Sequence, residues 1–334
     1  QQAQLIQDAY GNEFFKKGTF FFQYATAGVT ADKQHHAGLA NAAWLHIRDD
    51  ASPRTRGRMM VYDRAFHTVF TASVDDAGRF TTHWSGSFSP WTQIVPLGDE
   101  RGFFYNGADG TSFVGRFVEG GAERLSVKWP GDPSGLPAGI THVAKGNDGY
   151  LVAYNQNDRS GAIVKVFPDG EHAIVHSYGP GAFGPWTHVT STAEGTLVFY
   201  DQNTGMSAIC RIGLGEHLET ITQIQFSAGW TSIVPAGGPR LLFHDRVSGI
   251  GALVRLWSDG NSDQPASYPQ GILPNDGIAV GSSDNLIGFM GHFGEDAKTP
   301  RFQPLIIRDD GSVLSLYNTK SAPVVSVAAV GLRY

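Results

Sequence analysis

Apolar residues in this chain come in short runs of strand length, each closed by an Asp or Asn and a glycine turn, and none continues convincingly with helical spacing. The clearest stretch is 185–211. It reads Trp186-Thr187-His188-Val189, then Glu194-Gly195-Thr196-Leu197-Val198-Phe199-Tyr200-Asp201, then a turn at Thr204-Gly205 and a third run that carries Arg211. The same kind of start recurs as Trp44-Leu45-His46-Ile47, Trp91-Thr92-Gln93-Ile94, Ile140-Thr141-His142-Val143 and Trp230-Thr231-Ser232-Ile233. In chain order these starts are 47, 49, 46 and 44 residues apart. A degraded sixth copy lies around Asp276-Gly277-Ile278-Ala279-Val280, and a seventh start at Val324-Val325-Ser326-Val327. A period in the mid-forties over the whole chain predicts an array of similar units, and seven of them fill 334 residues.

Within each unit the landmarks repeat. Fourteen residues after the start, the second run ends at Tyr105-Asn106, Tyr154-Asn155, Tyr200-Asp201 or His244-Asp245. In the first unit Tyr62-Asp63 comes after eighteen, which marks 49–57 as a loop insertion. Turns follow at Asp109-Gly110, Ser160-Gly161, Thr204-Gly205 and Ser248-Gly249, and the third run carries Arg116, Lys165, Arg211 or Arg255. Hairpin signals such as Pro168-Asp169-Gly170, Ser258-Asp259-Gly260 and Asp309-Asp310-Gly311 lead into a fourth run. Four short strands per unit predict an all-β chain, a seven-bladed β-propeller of four-stranded antiparallel blades. It is read as a single domain over 1–334 with repeat starts near 44, 91, 140, 186, 230, 277 and 324. The strand expected at 19–25 pairs with the strands of 324–334 in a shared last blade, a closure that removes exposed sheet edges. An open solenoid is the rival arrangement, and only 2–10 could form a short helical turn.

Composition narrows what such a ring can do. With 41% hydrophobic and 17% charged residues the chain has ample material for a core, and 42 glycines with 17 prolines suit many tight turns. A net charge of −6 without any block of like charges argues against nucleic acid or an anionic membrane as partner, and no apolar run is long enough for membrane insertion. The single cysteine, Cys210, rules out an internal disulfide and falls at an apolar strand position, where a buried inert thiol is expected. The start Gln1-Gln2-Ala3-Gln4 suits a mature secreted chain, and equally a trimmed one.

In a four-stranded blade the turn after the second strand and the connection into the next first strand emerge on one face. Each blade therefore offers an aromatic ring beside a carboxylate or amide there: Trp44, Trp91, Trp186 and Trp230 with Tyr105, Tyr200, Asp201 and Asp245. That set suits a sugar, whose apolar face stacks on an aromatic ring while its hydroxyls bond planar groups. The opposing reading makes the tryptophans wedges between sheets, makes the Asp or Asn a cap of its own turn, and makes the third-strand base a cross-strand partner. His46, His142 and His188 share the position two residues after the start, near the central channel, with Gln93 and Ser232 at the equivalent place. Together with Arg64 and His67 they are the catalytic candidates of an alternative in which imidazoles at the funnel act as bases. His35, His36 and His292, and the insertion with Arg54, Arg56 and Arg58, depart from the repeat, and departures are where a unique site would be built. There is no nucleophile elbow, phosphate loop or His-Glu-x-x-His motif. Asn157-Asp158-Arg159-Ser160-Gly161 has part of a sialidase Asp-box without its order of residues. No cofactor or metal is expected; a channel-bound cation such as calcium is compatible with the ring, but no residue pattern indicates one.

The alternation Trp-Thr-His-Val, Gly-Thr-Leu-Val-Phe-Tyr-Asp, Thr-Gly-Met-Ser-Ala-Ile-Cys-Arg-Ile, with Tyr178-Gly179-Pro180-Gly181 ahead of the next Trp, resembles the tachylectin-type and related bacterial lectin propellers over about 40–320. The resemblance implies binding of glycans or polysaccharide at several inter-blade sites, poor where Ile140 replaces the Trp and in unit six, which lacks it. A polysaccharide lyase or glycoside hydrolase working at the central funnel is the alternative, and a scaffold for a protein partner is a second one.

Overall fold

The computed structural model describes residues 42–43, 55–63, 68–75, 80–98, 101–118, 121–273, 278–280, 286–291, 301–307 and 311–315. These residues form an all-β propeller of small antiparallel sheets. Six four-stranded sheets follow one another along the chain, each made of four consecutive strands paired in order. Four of them, between Gln93 and Tyr268, have most of their side chains described. Sheet two is Gln93–Gly98, Arg101–Tyr105, Ser112–Val118 and Gly121–Lys128; sheet three is His142–Lys145, Tyr150–Asn155, Ser160–Val166 and His172–Tyr178. Sheet four is His188–Ser191, Leu197–Tyr200, Met206–Ile212 and Leu218–Gln225; sheet five is Ser232–Pro235, Arg240–Asp245, Ile250–Leu256 and Ser262–Tyr268. No helix occurs among the described residues. The shared seventh blade expected from 19–25 and 324–334, and the helical turn at 2–10, lie outside them.

The first sheet shifts the phase of the sequence alignment. Val143, Val189 and Ile233 pair with Ala153, Phe199 and Phe243, each the residue before the landmark Tyr or His. In the first sheet it is Ala42 that pairs with Val61, the residue before Tyr62. Ala42 therefore takes the place of Val189, so Trp44 falls after the strand-starting position that Trp186 precedes. Trp44 and His46 themselves lie outside the described residues.

The sheets bury their apolar faces against one another. Val152, Tyr154 and Ile163 of sheet three meet Val189, Leu197, Phe199 and Cys210 of sheet four, and Val198, Tyr200 and Ile209 meet Ile233, Leu241 and Phe243 of sheet five. Cys210 is 1% exposed and burial pushes its thiol up to about 11, so it is the inert core residue expected. The third-strand bases make ion pairs, three of them to their cross-strand partners: Arg116 with Glu123, Arg211 with Glu219 and Arg255 with Asp263. Lys165 reaches instead across to Glu216 of sheet four at 2.9 Å and donates also to the Tyr150 hydroxyl.

Polar side chains carry the joints between sheets. The landmark tyrosines are buried, and each hydroxyl crosses to the connection that precedes the next sheet. Tyr105 donates to Pro137 O at 2.6 Å and accepts from Ile140 N; Tyr200 donates to Ser227 O at 2.9 Å and accepts from Trp230 N. Tyr154 donates to Gly184 O at 2.9 Å, a carbonyl that also accepts from Trp186 N. A further joint was not legible in the sequence: the His172 ring, 1% exposed, lies between Ser112 Oγ at 2.9 Å and Ser126 Oγ at 3.0 Å of sheet two. Burial, aided by Lys128, drives His172 down to about 4, so it is neutral near pH 7.

Tyr154→Phe removes the hydroxyl's bond to Gly184 O, a carbonyl that keeps the Trp186 N–H, and should cost about 0.5–1.5 kcal/mol in urea-induced unfolding. His172 generates a pH dependence of known sign. Its pKa is lower folded than unfolded, so the unfolded chain binds the extra proton between about pH 6.5 and 4, and stability falls as pH drops through that window. The full effect is roughly 3 kcal/mol, and urea midpoints measured from pH 7 to 4 should flatten in His172→Gln relative to the wild type.

Candidate functional site

The face on which first strands begin is built from one local design. In each of four sheets a threonine immediately before the strand start, Thr92, Thr141, Thr187 or Thr231, donates twice to the carbonyl of the landmark Tyr105, Tyr154, Tyr200 or His244, through backbone N and through Oγ1. The same Oγ1 accepts the N–H of Gly107, Gln156, Gln202 or Arg246, the residue just past the Asn or Asp landmark. This pins the mouth of the channel to the outer turn. The landmark carboxylate or amide then caps that turn: Oδ1 of Asn106, Asn155, Asp201 and Asp245 each accepts the backbone N–H two residues on. Asp201 Oδ2 also accepts from Thr204 Oγ1 at 2.7 Å, and Asp245 Oδ2 from Ser248 Oγ at 2.5 Å. Burial works to raise both carboxyls, yet these hydrogen bonds hold them below the usual carboxylate range.

The residue after the threonine joins one innermost strand to the next. Gln93 Nε2 donates to Thr141 O at 2.8 Å, His142 Nε2 lies 3.1 Å from Thr187 O, and His188 Nε2 lies 3.2 Å from Thr231 O. On the other side of each ring, His142 Nδ1 is 2.8 Å from Thr141 Oγ1 and His188 Nδ1 is 2.9 Å from Thr187 Oγ1. His142 is buried and His188 half-buried. The structure therefore places His142 and His188 at the starts of the first strands of adjacent sheets, while His46, Arg64 and His67 lie outside the described residues. His35, His36, His292 and the insertion's Arg54 lie outside them too. Among the described residues no group of three or more His, Cys, Asp or Glu is placed to hold a metal ion, and no helix is long and apolar enough to cross a membrane.

The residues expected to bind sugar serve the scaffold. Trp91 is 5% exposed, with ring centroids 5.0 Å from Phe113 and 5.8 Å from Phe104. Trp186 and Trp230 are half-buried wedges against Phe199 and Phe243. Tyr105 and Tyr200 expose nothing, and burial pushes Tyr105 up to about 12. Asp201 and Asp245 are turn caps. Among the described residues, these side chains are engaged in packing and turn bonds; Trp44 lies outside them.

The turn glycine of sheet three was misassigned in the sequence. In sheets two, four and five the turn closes with Gly110, Gly205 and Gly249 at φ of 84°, 77° and 70°, each donating to the landmark four residues back. In sheet three that donor is Arg159, at φ 59°, and not the neighbouring Gly161. A broken glycine spacing, Asn155 to Arg159, was the signal available for it.

No family model matches the chain and no curated protein matches it by sequence. Solved structures share its fold at low identity. A protein proposed to be a 6-phosphogluconolactonase, from Bacteroides uniformis, is 13% identical with a TM-score of 0.54, over 83% of this chain and 98% of its own. A protein of unknown function from Desulfotomaculum acetoxidans is 9% identical with a TM-score of 0.51, over 81% and 96%. The periplasmic gluconolactonase of Pseudomonas aeruginosa is 15% identical with a TM-score of 0.50, over 76% and 80%. These neighbours overturn the expected kinship with tachylectin-type propellers and, with it, the lectin reading.

Trp186→Ala should lower the unfolding free energy by about 2–4 kcal/mol, because a wedge packed on Phe199 leaves a cavity; thermal unfolding reads this as a clear drop in Tm. At this identity the likenesses establish one thing: the chain has the propeller fold of these proteins.

Proposed function

We propose that the chain is an enzyme of hydrolase or lyase type that acts on a sugar-derived substrate at the channel mouth, with His142 and His188 as its bases. The observation that carries this reading is the fixed orientation of the two imidazoles. A backbone carbonyl only accepts, so the contacts to Thr187 O and Thr231 O put a ring hydrogen on Nε2; in the neutral ring the lone pair is on Nδ1, facing a threonine Oγ1 whose single hydrogen is shared with the Tyr154 or Tyr200 carbonyl. A neutral imidazole with a carbonyl behind it and a hydroxyl ahead of it is arranged to receive a proton. Both reaction types need that step. In hydrolysis of a sugar lactone, water loses a proton as its oxygen bonds the carbonyl carbon, and the ring C–O bond breaks to give an acid and a hydroxyl. In elimination, the C–H beside a carboxylate loses the proton and the neighbouring C–O bond breaks to leave an unsaturated sugar. In each case the proton's destination is Nδ1 of an imidazole. The descriptions of two fold neighbours as gluconolactonases support a sugar-related substrate, and the periplasmic setting of one supports a place outside the cytoplasm. Closure of the ring by a seventh sheet from 19–25 and 324–334 belongs to the same proposal.

The chain supplies its own control for the test. Gln93 makes the inter-sheet bond with an amide where His142 and His188 use imidazole. His142→Gln and His188→Gln should therefore keep the joint, with Tm nearly unchanged, while kcat falls by about 10²-fold or more in at least one of them. Turnover is read as acid release from glucono-δ-lactone and as ultraviolet absorbance of unsaturated product from uronate polysaccharides. Full activity in both variants would reduce the histidines to struts.

A further inference from the structure

The cations of the four middle sheets divide into two groups. Arg116, Lys128, Lys165, Arg211 and Arg255 each hold a carboxylate. Arg101 donates to the carbonyls of Phe167 and Pro168. Arg124 lies over the Phe113 ring, the buried Arg240 donates to Gly237 O, and Lys145 is engaged as well. Two arginines differ: Arg159 and Arg246 are exposed, and neither has a carboxylate within salt-bridge reach or a ring beneath it among the described residues. Both stand on the turns of the mouth face. Arg246 sits at its inner rim, its backbone N–H held by Thr231 Oγ1 at 2.8 Å, in the position that Gln156 and Gln202 occupy in the two preceding sheets.

Their sequence neighbours do not neutralise them by contact. Asp158 Oδ1 already accepts from Ser160 N and Ser160 Oγ, and the Asp245 oxygens accept from Val247 N and Ser248 Oγ. Arg159 also bears a backbone cost. Its φ of 59° lies in the left-handed region, where three sister turns have glycine. A side chain kept at a position that favours its absence points to a use for that side chain. At two of the sister turns space demands glycine as well, since a Cβ at Gly110 would come 2.7 Å from Leu136 O and one at Gly205 would meet Phe226 O.

Resting on the enzyme reading above, we propose that Arg159 and Arg246 are recognition residues for a carboxylate, and that the substrate is an acidic sugar. A guanidinium with unoccupied N–H groups offers the planar fork that a carboxylate accepts in bidentate fashion, and the side-chain amides of Gln156 and Gln202 on the same turns suit the hydroxyls beside it.

Isothermal titration with oligogalacturonate and with a neutral galacto-oligosaccharide tests this on the whole chain. The wild type should bind the acidic probe and not the neutral one. Arg246→Ala and Arg159→Gly should each weaken that binding about tenfold or more, with Arg246→Lys recovering only part of it. Arg159→Gly should keep or raise Tm, because glycine relieves the turn, so weaker binding there is not a folding defect. Equal binding of both probes, no binding of the acidic probe, or unchanged binding in Arg159→Gly would overturn the proposal. Loss of acidic-probe binding in the variants without turnover of any lactone or uronate by the wild type would sink the enzyme reading and leave the anion site standing. Turnover of a neutral lactone that neither substitution alters would do the reverse.

Discussion

Everything in this array of sheets depends on one constraint: a four-stranded sheet cannot hide its own faces, so each sheet must be fastened to the next at the angle its neighbours dictate. Apolar packing supplies attraction without direction. Direction comes from the hydrogen bonds at the inner edge, where Gln93, His142 and His188 each reach the carbonyl of the threonine that starts the following strand. The buried tyrosine hydroxyls add a second fixed point per joint, to the connection that leads there. Each bond contributes about 1 kcal/mol net, while a joint missing its partner loses more because the buried group stays desolvated.

This explains why the most repeated side chains turned out to belong to the scaffold. A ring multiplies its struts by construction, so a Trp, a Tyr and an Asp at one place in every unit are first of all the parts that every unit needs. The Asx turns at Asn106, Asn155, Asp201 and Asp245 make the same point, since amide and carboxylate serve alike there. Chemistry has to be sought where the pattern gives way: imidazole in place of amide after the threonine, and arginine in place of glycine at the turn.

The period, the four strands per unit, the hairpin turns and the cross-strand bases were all legible, because each follows from local spacing that the backbone enforces. The direction of a side chain's polar end was not. Nothing in the spelling Tyr-Asp tells whether the hydroxyl meets water or the carbonyl of Gly184. His172 was invisible for a related reason: its serine partners lie in a different unit, sixty and forty-six residues away. In the first sheet the register rests on the pairing of Ala42 with Val61, which no conspicuous residue in the sequence announces.

The tyrosine joints all point the same way along the chain, from one sheet to the connection ahead of the next, only 32, 30 and 27 residues downstream. Each sheet thus offers its successor a finished surface before the successor exists. A polypeptide leaving the ribosome N-terminus first can therefore grow by accretion, every new hairpin pair docking on the one just completed, without waiting for distant segments to find each other. The order of synthesis and the order of assembly coincide in the middle of this protein.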